Sequence, residues 1–491
     1  MPVLLVNPDL QDYGEYIHPL VTEYFGVYEE YAKHRRLRTY LRSDGTITDE
    51  TTSEPTGLLL VAAVLHDAGI DTTVLDLNLI GAQGGSADEE LRRELAAGRH
   101  AVIGLSFLYF YLYEQIVRLA RLCRSACPDA LLVLGGNSAA ALPSHDPLNQ
   151  LVDVIVDGEG ESAFLSLCQA IVHEADGDAE RLAEVAVRPR RAAAASEWDI
   201  VSAPRPARHL YPLDALYRVN DGRSIMFASR GCPYKCSFCD VPQFWKSRIR
   251  YRRVEDVVDE FLALGDAGAR LIHIYDLNFG VNRRWTLDLL RRMAAERVQV
   301  PWDALMSVRV LADQEFLTAL AEAYCVGFMV GIESTDKANL QEVNGFVKFG
   351  APREEPMHIL RSGLAAAVQA GLLIETTYVF GLPGDSESSM VRTAHEIAQL
   401  YADDLLSLVG PMLFTPFPGT EIGDRPDRFG VEIVNRDYRD YTLNPRRPVC
   451  STRHVAARRV FELWELAIVE LIDVMRARIG QQPVTSSNLG V

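Results

Sequence analysis

The first 173 residues repeat one pattern, a short run of consecutive apolar positions followed by a stretch of helical periodicity. Apolar runs fall at 2–8, 71–77, 101–106, 130–136 and 152–156. Between them, 58–68 and a segment reaching Arg124 are spaced as helices, the first stopped by Gly69. Strands that are apolar throughout and alternate with helices are covered on both faces. They predict an α/β fold with a doubly wound, Rossmann-like parallel sheet over 1–173, whose ligands lie at the carboxyl ends of the strands. From 174 to 220 periodicity lapses into Ala, Arg, Pro and acidic residues, which reads as a linker. The alternation then resumes, with strands at 224–230, 271–276, 303–309, 327–333, 374–380 and 406–414 and helices at 254–268, 286–296, 314–324, 360–371 and 389–401. Six such units predict a partial (β/α) barrel over 221–425. Residues 426–491 predict a small helical extension, in which Val460, Leu463, Leu466, Ala467, Val469, Leu471 and Ile472 face a core at helical spacing.

One stretch has no such pattern. The connection from Pro8 to the helix at Leu58 runs for about fifty residues and holds Tyr13, Tyr16, Tyr24, Tyr28, Tyr31 and Tyr40, so it is expected to be a functional or disordered loop.

Composition narrows the class. At ~150 residues per domain, 491 residues make roughly three units. Lys and Arg total 49 against 67 Asp and Glu, a formal charge of −18 with no basic stripe, which argues against nucleic acid as a partner. The apolar run 58–65 stops at His66-Asp67, short of the ~20 residues of a membrane span. Eight cysteines are ordinary usage and no signal peptide precedes them, so a disulfide framework is not expected and a cytoplasmic location is. Cys123, Cys127, Cys168, Cys325 and Cys450 sit in apolar settings as structural thiols.

The other three cysteines carry the chemistry. Gly231-Cys232-Pro233-Tyr234-Lys235-Cys236-Ser237-Phe238-Cys239-Asp240 spaces them CxxxCxxC after a strand, so one loop can fold three thiolates around an iron–sulfur cluster. A zinc site would call for a fourth ligand at short spacing, and none lies nearby. Three ligands leave one iron of a [4Fe–4S] cluster open to a small molecule. The run resembles the signature of the radical S-adenosylmethionine (SAM) superfamily, including the aromatic residue before the third cysteine.

That resemblance assigns roles to residues at the other strand ends. It implies that Asp276-Leu277-Asn278-Phe279 binds the SAM amino group through Asp276 and Asn278. Arg309 marks the third strand end, and Glu333 and Ser334 after the fourth reach the ribose. In Gly381-Leu382-Pro383-Gly384, the backbone of Gly381 and Gly384 approaches the adenine. Individually, a capping carboxylate, an ion pair or a plain turn explains each.

The N-terminal third resembles the cobalamin-binding domain found in one class of that superfamily, through Ser106-Phe107-Leu108, Gly135-Gly136 and Gly158-Glu159-Gly160-Glu161. Ser106, Leu108, Gly135 and Gly136 would then hold the cobalamin tail. The class's Asp-x-His-x-x-Gly element is missing after the first strand, and Asp76-Leu77-Asn78-Leu79-Ile80-Gly81 after the second is discounted as coincidence. The aromatic run Phe107, Tyr109, Phe110, Tyr111, Tyr113 leaves two readings open, rings packed around a corrin or rings filling its place.

The implied function is cleavage of SAM by a [4Fe–4S] cluster to make a substrate radical, with cobalamin-dependent methyl transfer to an unactivated carbon of a small specialised metabolite. Antibiotic biosynthesis is the setting this suggests, and a donor such as flavodoxin or ferredoxin supplies the electron. The alternative keeps the radical and drops the methyl group: dehydration, rearrangement, epimerisation or cyclisation of a small polar metabolite over a vestigial N-terminal domain. A cluster-bearing redox or binding protein that never cleaves SAM is the third reading, opposed by the set of strand-end motifs. Substrate identity would rest with loops such as 10–56 and 335–358, which carry no transferable pattern.

Overall fold

The computed structural model describes residues 1–10, 14–35, 37, 52–98, 100–175, 190–193, 199–350 and 354–481. The chain forms two units, one of Met1–Tyr13 with Glu50–Asn220 and the other of Gly14–Asp49 with Asp221–Val491.

The first unit is built on β1 (Val3–Asn7), β2 (Thr72–Asp76), β3 (Val102–Ser106), β4 (Leu131–Gly135), β5 (Val154–Asp157) and β6 (Arg190–Ala193). They pair in the order β2-β1-β3-β4-β5-β6, parallel throughout. The order reverses between β1 and β3, which is where a doubly wound sheet opens a crevice at its carboxyl ends. β1 and β3 are buried at every position, as two covered faces require. Leu5, Ala62, Leu65, Val102, Val133, Val154 and Phe164 make one core between sheet and helices.

The expected linker is largely part of this unit. β6 adds a sixth strand, Ala207 N–H donates to Leu59 O at 2.9 Å, and Tyr211 and Leu216 pack on Leu59 and Leu79. The helix Leu213–Asn220 is only 8 residues long, too short for its periodicity to stand out of an Ala- and Pro-rich stretch.

The second unit carries β7 (Arg223–Met226), the short β8 (Ser229–Gly231) and β9 (Ile249–Tyr251), then β10 (Leu271–Phe279), β11 (Trp302–Met306), β12 (Cys325–Glu333), β13 (Leu373–Phe380) and β14 (Leu408–Leu413). Six of them form one parallel sheet in the order β14-β13-β12-β11-β10-β7, the expected partial barrel.

Such a barrel ends on a strand with unpaired backbone. Here two helices cover that edge. Trp464, on Ala457–Arg478, donates from Nε1 to Pro411 O at 2.9 Å, and Tyr24, on Pro19–Arg35, donates from its hydroxyl to Val409 O at 2.6 Å. Pro411, lacking an N–H, suits an edge strand.

Two expectations are corrected by these helices. Much of the supposed tyrosine-rich loop is the helix Pro19–Arg35, and Tyr24, Tyr28 and Tyr31 line its buried face at spacings of four and three. Tyr13 and Tyr40 lie outside the described residues. The extension after 425 is part of the barrel unit rather than a separate tail, and on its helix Leu466 is exposed while Trp464 and Ile468 are buried with Val460, Leu463, Ala467, Leu471 and Ile472. Among the described residues no helix is long and apolar enough to cross a membrane.

Removing these edge contacts gives a direct test. Tyr24→Phe leaves Val409 O without its donor and should cost about 1–2 kcal/mol. Trp464→Ala opens a cavity and should cost about 3–5 kcal/mol. Thermal melts followed by hydrogen exchange at β14 should show both losses, the second larger.

Candidate functional site

The cysteine loop is closed at its base. β8 and β9 pair antiparallel, Gly231 opposite Ile249, so residues 232–248 form the loop between them. Gly231 has φ +92°, and a Cβ there would lie 1.9 Å from Arg248 O; only glycine fits. Cys239 N–H donates to Cys236 O at 3.2 Å, and later segments pin the turn from outside. Ser237 N–H reaches Val343 O at 3.0 Å, Ile422 N–H reaches Ser237 O at 3.1 Å, and Asn344 Nδ2 reaches Lys235 O at 2.7 Å. Burial pushes the Cys236 and Cys239 thiols up, and the Lys348 ammonium pulls the other way.

β10 positions the start of this loop. Along it Tyr275 and Leu277 are exposed while Asp276 and Asn278 are buried. Asp276 Oδ1 accepts from Ala228 N–H at 2.8 Å and Ser229 N–H at 2.9 Å, and Oδ2 accepts from the Ser229 hydroxyl at 2.6 Å. This corrects the role implied for Asp276. Its oxygens are taken up by the strand that leads into the cysteines, so it positions the loop instead of binding a SAM ammonium. Burial outweighs those three donors and pushes its carboxyl up to about 6.

Asn278 is different. Its Nδ2 lies 3.8 Å from Cys232 Sγ, and its Oδ1 is buried with no partner among the described residues. The donor set fits a cluster. Three cysteines on one loop with no fourth ligand at short spacing match a four-iron cluster, which takes each thiolate on a different iron, better than a four-coordinate zinc.

The remaining strand ends divide into open and occupied groups. Glu333, at φ +63°, forms an ion pair with Lys348, whose Nζ also stands 5.4 Å from the Phe238 ring centroid inside the cysteine loop. Lys348 was not legible in the sequence, because its loop has no pattern. Burial would lower its ammonium, but Glu333 and the thiol of Cys236 outweigh burial and hold it above the usual range.

Ser334 is a correction. It is buried, its hydroxyl is 3.4 Å from Thr393 Oγ1 and it accepts from Asp336 N–H at 3.1 Å, so it caps the turn into the next helix and is not turned to a ligand. Arg309 is exposed on the 3₁₀ turn Val308–Ala312, since β11 ends at Met306, earlier than expected. Gly381 lies against Val460, and Gly384 against Asn339 and Glu342. Directly after them stands a residue to which the sequence assigned no role. Asp385 accepts from Leu382 N–H at 3.1 Å, Asn339 Nδ2 at 2.8 Å and the Ser389 hydroxyl at 2.9 Å, with its carboxyl pushed by burial up to about 7.

In the first unit, Ser106 and Gly135 end β3 and β4 as register partners. Gly136 has φ +108°, and a Cβ on it would stand 2.5 Å from Phe107 O. A Cβ on Gly135 would meet nothing within 4 Å, Leu108 is exposed, and Ser106 Oγ makes no hydrogen bond among the described residues. That open cradle suits a flat ligand tail. Phe107 and Phe110 are buried edge-to-face at 5.8 Å, whereas Tyr109 stacks on Tyr111 at 5.4 Å with Tyr109 exposed.

Asp76 is buried, accepting from Asn7 Nδ2 at 2.8 Å, the Tyr211 hydroxyl at 2.7 Å and Asn78 N–H at 3.1 Å. It caps a helix. His18 belongs to the second unit, its Nε2 3.3 Å from Glu465 and its ring edge-on to Phe461 and Trp464.

Residues 226–397 match the Radical SAM superfamily and residues 43–167 match the B12 binding domain. The chain is 25% identical over 379 residues to the cytidylyl-2-hydroxyethylphosphonate methyltransferase of Streptomyces wedmorensis, covering 67% of this chain and 69% of that one. It is 25% identical over 438 residues to an anaerobic magnesium-protoporphyrin IX monomethyl ester cyclase of Synechocystis sp., covering 86% and 81%. Among solved structures it resembles the radical SAM methyltransferase TsrM of Kitasatospora setae, solved with tryptophan substrate and a SAM analogue, at a TM-score of 0.66, 19% identity and coverage of 96% and 89%. The three-cysteine loop at the strand ends of a six-stranded parallel barrel and the open cradle of a doubly wound sheet thus each have a named counterpart, and the chain carries a radical SAM domain together with a B12-binding domain.

Proposed function

We propose that the protein is a cobalamin-dependent radical SAM methyltransferase that modifies an unactivated carbon of a small specialised metabolite. The observation that carries this reading is the presence in one chain of a pinned CxxxCxxC loop on a partial barrel and an open, glycine-lined cradle at Ser106, Leu108, Gly135 and Gly136. When bound, the cluster supplies the electron that splits SAM into methionine and a 5′-deoxyadenosyl radical, and cobalamin carries the methyl group to the substrate.

The chain's own residues do the rest. Cys232, Cys236 and Cys239 would hold the cluster, and Asp276 fixes the strand that delivers them. Glu333, steadied by Lys348, would hold the ribose hydroxyls. Arg309 contributes an exposed guanidinium, and Asp385 fixes the turn whose backbone at Gly381 and Gly384 would approach the adenine. A flavodoxin- or ferredoxin-type donor and a cytoplasmic location complete the proposal.

A second reading has support of its own. The similarity to a cyclase extends over 86% of this chain, so radical chemistry without methylation fits the same scaffold. Anaerobic turnover with SAM labelled in its methyl group separates the two. Label in the product supports methyl transfer; 5′-deoxyadenosine with an unlabelled product transfers the proposal to the second reading.

Three outcomes are expected for the site. Replacing Cys232, Cys236 and Cys239 with Ala should abolish iron and sulfide retention and reductive SAM cleavage, while single replacements of Cys123, Cys127, Cys168, Cys325 or Cys450 should leave both in place. Iron analysis of anaerobically reconstituted protein is the check.

Asp276→Ala should lose much of the iron because the loop is released, whereas Asp276→Asn keeps acceptor and shape and should retain it. The pH response carries a sign. A buried carboxyl raised from 3.8 to about 6 binds its proton more tightly in the folded chain, so its contribution is full below the unfolded value and is lost as pH rises through about 6. Asp276→Asn should therefore flatten the fall in melting temperature between those values.

The third outcome concerns cobalt. Since His18 is held by Glu465, the cobalt(II) form of the reconstituted protein should give the same electron paramagnetic resonance spectrum in wild type and His18→Ala. Nitrogen splitting that vanishes in the variant would show that a protein imidazole lies beneath the metal after all.

A further inference from the structure

We propose that the exposed outer side of the cysteine loop, at Lys235 and at the turn that carries Lys246, docks an anionic protein that delivers one electron to the cluster. This rests on the reading in which Cys232, Cys236 and Cys239 hold that cluster.

Charge marks the place. The chain has a formal charge of −18, yet between Lys235 and Arg253 it holds six cations, Lys235, Lys246, Arg248, Arg250, Arg252 and Arg253, against the one carboxylate of Asp240, a local excess that the whole-chain balance hides. Two of the six are engaged within the fold, Arg252 with Glu260 and Arg253 with Asp256. Lys235, Lys246 and Arg248 are exposed, and neither lysine forms an ion pair among the described residues.

The backbone holds both lysines in place. Arg248 N–H donates to Trp245 O at 3.0 Å, closing a four-residue turn whose central residues, Lys246 and Ser247, both stand at φ +52°. Asn and Gly suit such a left-handed pair, so the chain keeps Lys and Ser there against local preference, and backbone outliers of this kind gather at functional sites. The turn is braced by Phe244, edge-on to Trp245 at 5.0 Å, and by the Arg250 guanidinium 5.7 Å from the Trp245 ring centroid. Lys235 directly precedes Cys236, and its carbonyl accepts from Asn344 Nδ2 at 2.7 Å. Two ammonium groups rising from fixed backbone leave less to be ordered when a partner binds.

Position decides the kind of partner. An electron has to reach the iron by a short path, and Lys235 lies between two of the ligating cysteines in the chain. An acidic carrier is repelled by the surface of a protein with a charge of −18 and attracted at this one patch, so approach and orientation are selected together. The step moves a single electron. An anionic flavin hydroquinone becomes the neutral semiquinone as the cluster passes from its 2+ to its 1+ state, with no bond formed and no proton moved.

Purified flavodoxin tests this with the full chain. Calorimetric titration with its oxidised form at low salt reads docking apart from any chemistry, and stopped-flow absorbance reads reduction of the reconstituted cluster by its hydroquinone. The double variant Lys235→Glu/Lys246→Glu should weaken binding and slow reduction by roughly tenfold or more. Both differences should shrink in about 1 M salt, where charges act over only ~3 Å. Reduced methyl viologen, a small cation, should reduce the variant no more slowly than wild type. Unchanged flavodoxin binding or reduction in the double variant overturns the proposal, and so does an equal slowing with methyl viologen, which would place the effect in the cluster itself. If the double variant fails to assemble, Lys235→Gln and Lys246→Gln decide by the same readings. A wild-type chain that binds flavodoxin through these lysines but retains no iron would instead remove the underlying cluster assignment.

Discussion

A single buried carboxylate organises the barrel's reactive end. Asp276 gathers two successive backbone N–H groups and a hydroxyl from Ala228 and Ser229, and the chain can present both amides to one oxygen only by leaving the sheet there. That is why the expected strand 224–230 is interrupted between β7 and β8. From the other side Arg252 donates to Phe227 O at 2.8 Å and to Glu260 at 2.6 Å, so the carbonyl exposed by the interruption is also satisfied. With both sides of the break bonded, β8 can pair with β9 and set Gly231 and Cys232 at a fixed place. The cysteines' geometry thus depends on a residue 37 positions beyond the last of them.

The same device recurs at other strand ends. Asp385 ties the turn after β13, Asp76 the turn after β2, and Glu333 is held at the end of β12 by Lys348. Burial makes each such carboxylate demanding, and each of Asp276, Asp385 and Asp76 takes at least one donor from the backbone of the turn it fixes, with Asp385 and Asp76 also drawing on Asn339 and on Asn7 and Tyr211 elsewhere in the chain. Hydrogen-bond capacity therefore separates positioning groups from ligand groups. A carboxylate whose oxygens already accept from the protein has little left for a ligand, whereas the half-satisfied amide of Asn278 does.

This difference also marks what the sequence could reveal. Apolar strands such as Ala101 to Ser106 and the CxxxCxxC spacing are local signals, and they specified both sheets and the loop. Acidic residues at strand ends were equally visible, but whether Asp276 faces a ligand or a backbone amide depends on a neighbour 47 residues away in the chain, which no spacing encodes. Lys348 was hidden for the same reason. The helix Pro19–Arg35 was legible and passed over, because its apolar face is built from tyrosines, which in isolation suggest a binding loop; the positions Val21, Tyr24, Val27, Tyr28 and Tyr31 are nevertheless at helical spacing.

The use made of that helix bears on the cobalamin question. In the first unit, the segment after β1 is where a cobalt-ligating histidine loop would be expected. In this chain the described residues 14–35 belong to the barrel unit, where Tyr24 covers the edge strand and His18 is wedged against Phe461 and Trp464 beside Glu465. The edge must be covered, since unpaired strand backbone invites association with other chains. The His18 ring is thereby engaged by Phe461, Trp464 and Glu465 within the barrel unit. The cradle at Ser106 and Gly135, by contrast, is left open although Phe107 and Phe110 lie next to it in the chain and could have closed it. A side chain at Gly135 would meet nothing and one at Gly136 would strike Phe107 O, so the backbone at the end of β4 stays bare for the close approach that a bound tail requires.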